Sequence, residues 1–413
     1  MRILMLSQFF PPIIGGEERH VKVLSEALAQ RGHDVSVATI KHGDQPDVEI
    51  VSGIKIYRLE GMLQRNAALF TEDQRRHAPP FPDPELTFHL NRVVRAEKPD
   101  VVHAHNWLLH SYLPLQWIYK KRLVVTLHDY GSVCAKKNMI HAGVPCGGPA
   151  AVKCLPCAGQ HYGNLKGAVT WLMNSSLGKS GLSQVDVFIP VSQAVAVRCG
   201  LDAKRDQYEV IPTFISNDVT RLRDGQDAYL AKLPKSDFLL FVGDLTRLKG
   251  IHTLLAAYGR MRDAPPLVLI GRRCKDTPTE LPENVALLES WPHAAVLHAW
   301  SRCLFGVVPS EGLETCGTVV MEANAFGKPV VASRTGGLSE TVIDNKTGML
   351  VPPGDIDALH SALLTMLQNP DLRQRMGAAS RARSEAYMPD AIIPRIERIY
   401  ERPTVARFAE ARL

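Results

Sequence analysis

Short apolar runs alternate with segments of helical period along this chain, and they do so in two successive series. That rhythm restricts the fold class to α/β. Residues 2–7 are an apolar run suited to a buried parallel strand. A loop with two prolines and two glycines follows at residues 8–16. Val21, Leu24, Leu28 and Arg31 then recur at helical spacing, and Gly32 is a stop signal. Residues 35–40 supply the next strand and close a βαβ unit. Further strands are predicted at 100–103, 123–127, 185–190 and 210–212. Residues 216–236 are polar and irregular and read as a linker. The second series begins at Phe238, with strands at 238–242, 267–270, 304–308 and 330–332, and helices at 251–261, 318–326 and 356–368. Past Tyr387-Met388-Pro389 a last charged helix is expected. The predicted architecture is two doubly wound, Rossmann-like domains, 1–215 and 237–388, facing a central cleft, with 389–413 packing back on the first.

Size and composition agree. A chain of 413 residues is too long for one ordinary core and suits two domains. At 45% hydrophobic and 22% charged it is a globular rather than a disordered chain. The 48 Lys and Arg against 42 Asp and Glu leave a net +6, too thin over this length to indicate a nucleic-acid partner. It is compatible with anionic substrates or loose peripheral membrane contact. Lys120, Lys121 and Arg122 could make such a contact, although a solvated face is the better explanation of them. No apolar run reaches the length of a membrane span. The N-terminus lacks a small-residue cleavage site and reads as a first strand, so a cytoplasmic location is expected.

Two long loops interrupt the first series. Residues 61–85 carry Arg65, Arg75, Arg76 and several prolines, and loops of this length usually serve function. Residues 131–165 carry Cys134, Cys146, Cys154 and Cys157, spaced C-x11-C-x7-C-x2-C. Four thiols with one C-x2-C knuckle fit structural zinc, with an iron–sulfur cluster as the second metal reading and ordinary thiols or disulfides as the metal-free one.

The strongest chemical signal runs from Pro309 to Ala323. An apolar strand leads into Ser310-Glu311-Gly312-Leu313-Glu314-Thr315-Cys316-Gly317, and a helix opens at Thr318. A glycine ahead of a helix N-terminus lets backbone N–H groups approach a phosphate. Glu314 precedes those donors and Glu322 lies about a turn inside the helix, where a carboxylate can accept two hydrogen bonds from a diol. Gly327-Lys328-Pro329 and Thr335-Gly336-Gly337-Leu338 follow.

These residues resemble the E-x7-E signature of retaining glycosyltransferases of family 4, which have the GT-B fold. The resemblance covers nearly the whole chain. It implies that Glu322 holds the ribose of a nucleotide-sugar donor and that Glu314 holds the hydroxyls of the transferred sugar. Cys316, Gly317 and Thr318 would lie along the diphosphate. It also gives a role to Gly15 and Gly16, whose counterparts contact the donor's diphosphate and sugar. The spacing there is not the G-x-G-x-x-G fingerprint of dinucleotide-binding dehydrogenases. In Phe241-Val242-Gly243-Asp244-Leu245-Thr246-Arg247-Leu248-Lys249-Gly250, Lys249 matches a lysine that neutralises the leaving diphosphate. Asp244 stands where the family has arginine, and Arg247 is the candidate replacement. His128, at the end of the strand at 123–127, matches a histidine near the reacting carbon. His105, in His103-Ala104-His105-Asn106-Trp107, is an acceptor-side candidate. Asp355-Ile356-Asp357 looks like a metal-binding D-x-D, but Asp355 reads as a helix cap. The resemblance implies no catalytic metal.

The expected function is transfer of a hexose or N-acetylhexosamine from a nucleotide sugar, UDP favoured over GDP, to a hydroxyl of a glycan, lipid-linked or small-molecule acceptor. A nucleotide-sugar epimerase or a sugar phosphorylase on the same fold stays open at this point. So does a binding module without turnover, supported by Asp244.

Overall fold

The computed structural model describes residues 1–13, 15–66, 70 and 75–402, the side chains of 204 and 205 excepted. Parts of the loop at 61–85, and the expectation for 403–413, fall outside these residues. The chain divides into two compact units. One holds Met1–Met139, Cys146–Pro212 and the chain from Ile392; the other holds Ile140–Pro145 and Thr213–Ala391.

The first unit is built on a seven-stranded sheet. Its strands are β1 (Arg2–Leu6), β2 (Asp34–Ile40), β3 (Val48–Val51), β4 (Ile54–Leu59), β5 (Val101–Ala104), β6 (Arg122–Leu127) and, after a small hairpin of β7 (Ile140–His141) and β8 (Val144–Pro145), β9 (Val187–Pro190). They lie in the order β3-β4-β2-β1-β5-β6-β9, parallel except for β3. The strands β1, β5 and β6 are buried almost end to end, as a sheet covered on both faces requires. Its helices include α1 (Gly16–Gln30), α2 (Pro84–Glu97), α3 (Leu108–Tyr119), α4 (Ala151–Tyr162) and α5 (Asn164–Met173). Val21, Leu24 and Leu28 face inward on α1, and Gly32 follows it in the left-handed region.

The second unit is a six-stranded, all-parallel sheet. Its strands are β10 (Leu239–Val242), β11 (Leu267–Ile270), β12 (Val285–Leu288), β13 (Phe305–Val308), β14 (Val330–Ser333) and β15 (Gly348–Val351), in the order β12-β11-β10-β13-β14-β15. Leu239, Phe241, Leu254, Leu269, Phe305 and Leu363 are among the residues of its core. Both sheets reverse direction of growth beside their first strands, the place where ligands of such folds bind at strand carboxyl ends.

Residues 210–212 are not a strand. Ile211 donates one hydrogen bond to Pro190 O (3.2 Å), but Pro190 and Pro212 bring no N–H to extend a ladder. About half of the loop at 131–165 is regular structure: the β7–β8 hairpin, α4 and the start of α5. The helix Pro389–Glu401 carries an apolar stripe beneath its charges. Ile392, Ile393, Ile396, Ile399 and Tyr400 are all buried, each isoleucine worth about 1.5–3 kcal/mol. From Ile392 onward this segment belongs to the first unit: Tyr400 Oη meets His103 Nδ1 at 2.7 Å, Arg122 Nη2 donates to Ile399 O at 3.0 Å, and Arg395 reaches Glu209 and Val210 O. Burial of Arg122 also removes it from the surface group with Lys120 and Lys121.

Candidate active site

In the second unit, β13 delivers the chain to a loop at 309–317, and the helix Thr318–Ala325 leaves it. Gly317 caps that helix at φ 80°, ψ 50°, a left-handed conformation in which a side chain is strained. The N–H groups of Gly317, Thr318 and Val319 stand at the helix head, where no preceding turn supplies acceptors. The loop is clamped from behind by Gly336 and Gly337. A Cβ on Gly336 would collide with Glu314 O, and Gly337 N–H donates to that same oxygen at 2.8 Å. Thr335 and Thr341 hydroxyls donate to Gly312 O and Cys316 O at 3.1 and 2.6 Å.

Glu314 Oε1 accepts from Lys249 Nζ and from Ser310 Oγ, both at 2.6 Å. Burial alone would push its carboxyl up. The Lys249 ammonium and the Ser310 hydroxyl outweigh that and hold it below the usual carboxylate range. Glu322 is buried one turn into the helix and meets His293 Nε2 at 2.7 Å. Cys316 is buried, and desolvation raises its thiol to about 11, so it stays neutral and offers the loop its backbone. Its sulfur takes a hydrogen bond from Thr213 Oγ1 at 3.2 Å.

Lys249 sits on a short 3-10 turn capped by Thr246, whose Oγ1 accepts Lys249 N–H at 3.2 Å. Arg247 is exposed; its Nε lies 3.9 Å from Glu311 Oε2, and its backbone N–H reaches Asp276 Oδ2 at 2.6 Å. Asp244 pairs with Arg272 at 3.0 Å. Thus the acid standing in the arginine position binds an arginine from the loop after β11.

In the first unit, three histidines from three elements converge. His20 projects from α1, His105 follows β5, and His128 follows β6. His105 Nδ1 and His128 Nε2 are 3.1 Å apart, their rings stack at 5.3 Å, and the His20 ring meets His128 edge-on at 4.9 Å. His103 extends the group by packing on His105 (4.3 Å) and bonding Thr126 Oγ1 (2.8 Å). Desolvation lowers all four imidazoles, His20 and His103 to about 3, so they are neutral near pH 7. Gly15 caps α1, and a Cβ there would meet the Glu18 carboxylate, which Arg75 also holds at 2.7 Å. Beside it, burial and then Asp129 and Glu18 push the Glu17 carboxyl up to about 8, while its hydrogen bond from Asn106 resists. A hollow of about 650 Å³ in this unit is lined by Pro12, Ile13, Lys41, His42, Asp44, Gln45, Glu60, Gln64 and Arg76, beyond the carboxyl ends of β2 and β4.

The four cysteines at 134, 146, 154 and 157 are free thiols. Among the described residues, the one group of three His, Cys, Asp or Glu side chains with ligand atoms within 4.8 Å of one another is His20, His105 and His128, two of which already share a hydrogen bond. Cys154 Sγ accepts Ala150 N–H at 3.3 Å, and Cys146 Sγ lies 3.4 Å from Gly148 O. Asp355 Oδ1 accepts Ala358 N–H at 2.9 Å and caps a helix.

Motifs led to Glu314, Glu322, Lys249 and His128. They did not lead to His293 or His20, which reach Glu322 and His128 from elsewhere in the chain, nor to the pairing of Asp244 with Arg272 or the state of Glu17. A signal existed for His20, which stands one helical turn past the Gly15-Gly16 pair on α1.

Residues 14–219 match the family model described as Glycosyltransferase Family 4, and residues 224–383 match Glycosyl transferases group 1. A glycogen synthase of Mycobacterium tuberculosis is 28% identical over 93% of this chain and 90% of its own. Among solved structures, a sucrose-phosphate synthase from Thermosynechococcus elongatus superposes with TM-score 0.72 at 24% identity, covering 96% of this chain and 98% of that one. HepE of Anabaena, in complex with UDP, gives TM-score 0.66 at 19% identity, covering 96% and 99%. Among the described residues no helix is long and apolar enough to cross a membrane.

Proposed function

The chain belongs to glycosyltransferase family 4, with the GT-B fold, and from that premise we propose that it is a retaining hexosyltransferase using a UDP-sugar. The observation that carries this reading is the state of Glu314. It is a half-buried carboxylate kept ionised by Lys249 and Ser310, on the loop that ends at a helix N-terminus. An ionised acid there accepts two sugar hydroxyls and fixes the sugar over the phosphate cradle. Glu322 takes the ribose diol. The N–H groups at Gly317 and Thr318, with Lys249 and Arg247, meet the charge that grows on the departing diphosphate. The bond from the anomeric carbon to the diphosphate oxygen breaks. The acceptor oxygen bonds that carbon on the same face, and a diphosphate oxygen takes its proton. On this reading neither a covalent carboxylate nor a catalytic metal takes part.

From the first unit, His128 is proposed to contact the sugar, and Gly15 and Gly16 the donor's phosphates. A neutral imidazole suits that role, since a cation there would oppose the positive charge gathering on the sugar. His105 fixes the orientation of the His128 ring. The hollow beside Lys41 and Glu60 is proposed to hold the acceptor. Its polar lining suits a sugar better than an alkyl chain, and the relative named above is a glycogen synthase. The cysteines at 134, 146, 154 and 157 are proposed as a zinc set; metal analysis of the purified protein should find one zinc per chain, and a metal-free protein sinks this assignment.

The test is a thermal-shift series with UDP, GDP and ADP, followed by turnover with the UDP-sugars. Glu322→Ala should abolish the UDP shift. Glu314→Ala should keep that shift and lose turnover by about 10²–10³-fold. Full turnover in Glu314→Ala sinks the assignment. UDP-sugar consumed without any glycoside product or hydrolysis identifies an epimerase instead.

A further inference from the structure

The helix α5 is inside out. Gly167, Thr170 and Asn174 face inward, and a Cβ on Gly167 would strike the Ala158 carbonyl of α4. The opposite face carries Leu165, Val169 and Leu172, which are 81%, 42% and 51% exposed. At 100° per residue the two sets stand about 180° apart. Leu177 on the following turn and Val152 and Leu155 on α4 are exposed as well. Six of the eighteen large exposed hydrophobics among the described residues therefore fall within residues 152–177. Scattered exposed leucines need no explanation, but a helix that buries its small residues and turns its leucines outward does.

Charge supplies what the apolar face alone does not. Residues 130–185 contain five lysines, no arginine and no aspartate or glutamate. The chain's 42 acids in 413 residues would put about six in a stretch that long. This segment accordingly carries five of the six net positive charges. Lys179 is exposed, and Lys153 and Lys166 are half-buried, Lys166 lying 5.3 and 5.4 Å from the centres of the Phe70 and Tyr162 rings. A second copy of the chain would bring lysines onto lysines, because a two-fold contact pairs a face with itself.

We propose that α4 and α5 form a docking surface for an anionic lipid membrane, with Leu165, Val169 and Leu172 entering the interface and the lysines meeting the headgroups. The arrangement is that of a helix lying in the plane of a bilayer surface: apolar side down, ammonium groups at the edges. Each lysine near an anionic surface adds about fivefold to partitioning, an increment that salt removes. The inference does not depend on the donor or acceptor, since binding is read without turnover.

The experiment is flotation of the full chain with vesicles of phosphatidylcholine alone or mixed with phosphatidylglycerol. The protein should float with the mixed vesicles, and high salt should weaken this. A Leu165→Glu/Leu172→Glu double variant should float at least tenfold less while keeping its Tm, because neither side chain is buried. Lys179→Glu should lower binding at low salt and make its loss with salt shallower. Wild-type protein that ignores phosphatidylglycerol vesicles, or a double variant that floats as well as wild type, overturns the proposal. Light scattering that finds a dimer, lost in the double variant, overturns it too and assigns the face to self-association.

Discussion

At the scale of single residues, Glu314 and Lys249 define each other. The carboxylate is half-buried and the ammonium is open to solvent, so the pair's worth is in protonation rather than in a large stability term. The folded pKa of Glu314 lies below its ordinary value, so its stabilisation is present above the ordinary carboxylate pKa and lost as pH falls through the folded one. Without Lys249, burial dominates and the carboxyl rises. Lys249→Met should therefore cut turnover by about 10²-fold at neutral pH and move the acidic limb of its pH profile upward. A lower but unshifted profile would show that Lys249 serves the diphosphate and not the state of Glu314. The acids were legible in the sequence because strand, glycine and helix all bear on one short segment. Their partners were not. Ser310 and Lys249 were in view, but the convergence of Lys249 and Glu314 over 65 residues is a product of β10 and β13 pairing, and no local pattern encodes it.

At the scale of elements, the loop at 309–317 takes its shape from two glycines that follow β14. Gly336 has φ 49° and abuts Glu314 O. Gly336→Ala pays twice, for the conformation and for the collision, and should destabilise the protein by about 2–4 kcal/mol in urea unfolding. A loss of turnover without a loss of stability would mean that the loop moved to accommodate the methyl group. The elements read correctly from sequence were those with an unbroken apolar run or a clean helical period, such as β11 or residues 356–368. The strands β3, β4, β12 and β15 passed unread. Lys55, Tyr57 and Arg58 break the apolar run of β4, while β15 begins with Gly348 and runs into two prolines. The helix α5 defeated the usual logic, since its leucines mark the side that faces water.

For the molecule as a whole, the desolvated histidines of the first unit set its response to acid. His20 and His103 titrate near 3, and His42, His77 and His110 near 4, all lowered chiefly by desolvation. The unfolded chain binds protons below about pH 6.5 and the folded chain does not, so stability is full above that value and falls as pH drops toward the folded pKa values. For the fully buried His20 and His103 this amounts to about 2 kcal/mol each between pH 6.5 and pH 5. Glu17, raised to about 8, works in the opposite direction, but it is one group against several. Urea midpoints should thus fall steeply from about pH 7 to about pH 5, and His20→Gln should flatten the slope. An unchanged midpoint across that range would contradict burial of these rings in neutral form.

The contacts of the helix near Ile399 also impose an order in time. His103 and its partner Tyr400 are 297 positions apart, and Arg122 finds the Ile399 carbonyl across 277. On the ribosome the entire second unit is made between these partners. It can fold while the first unit, begun earlier, still waits for the segment that covers its imidazoles and its buried guanidinium. A chain terminated after residue 388 should therefore keep a protease-resistant second unit and expose a cleavable first one, which limited proteolysis and mass spectrometry would display as a fragment starting near residue 213.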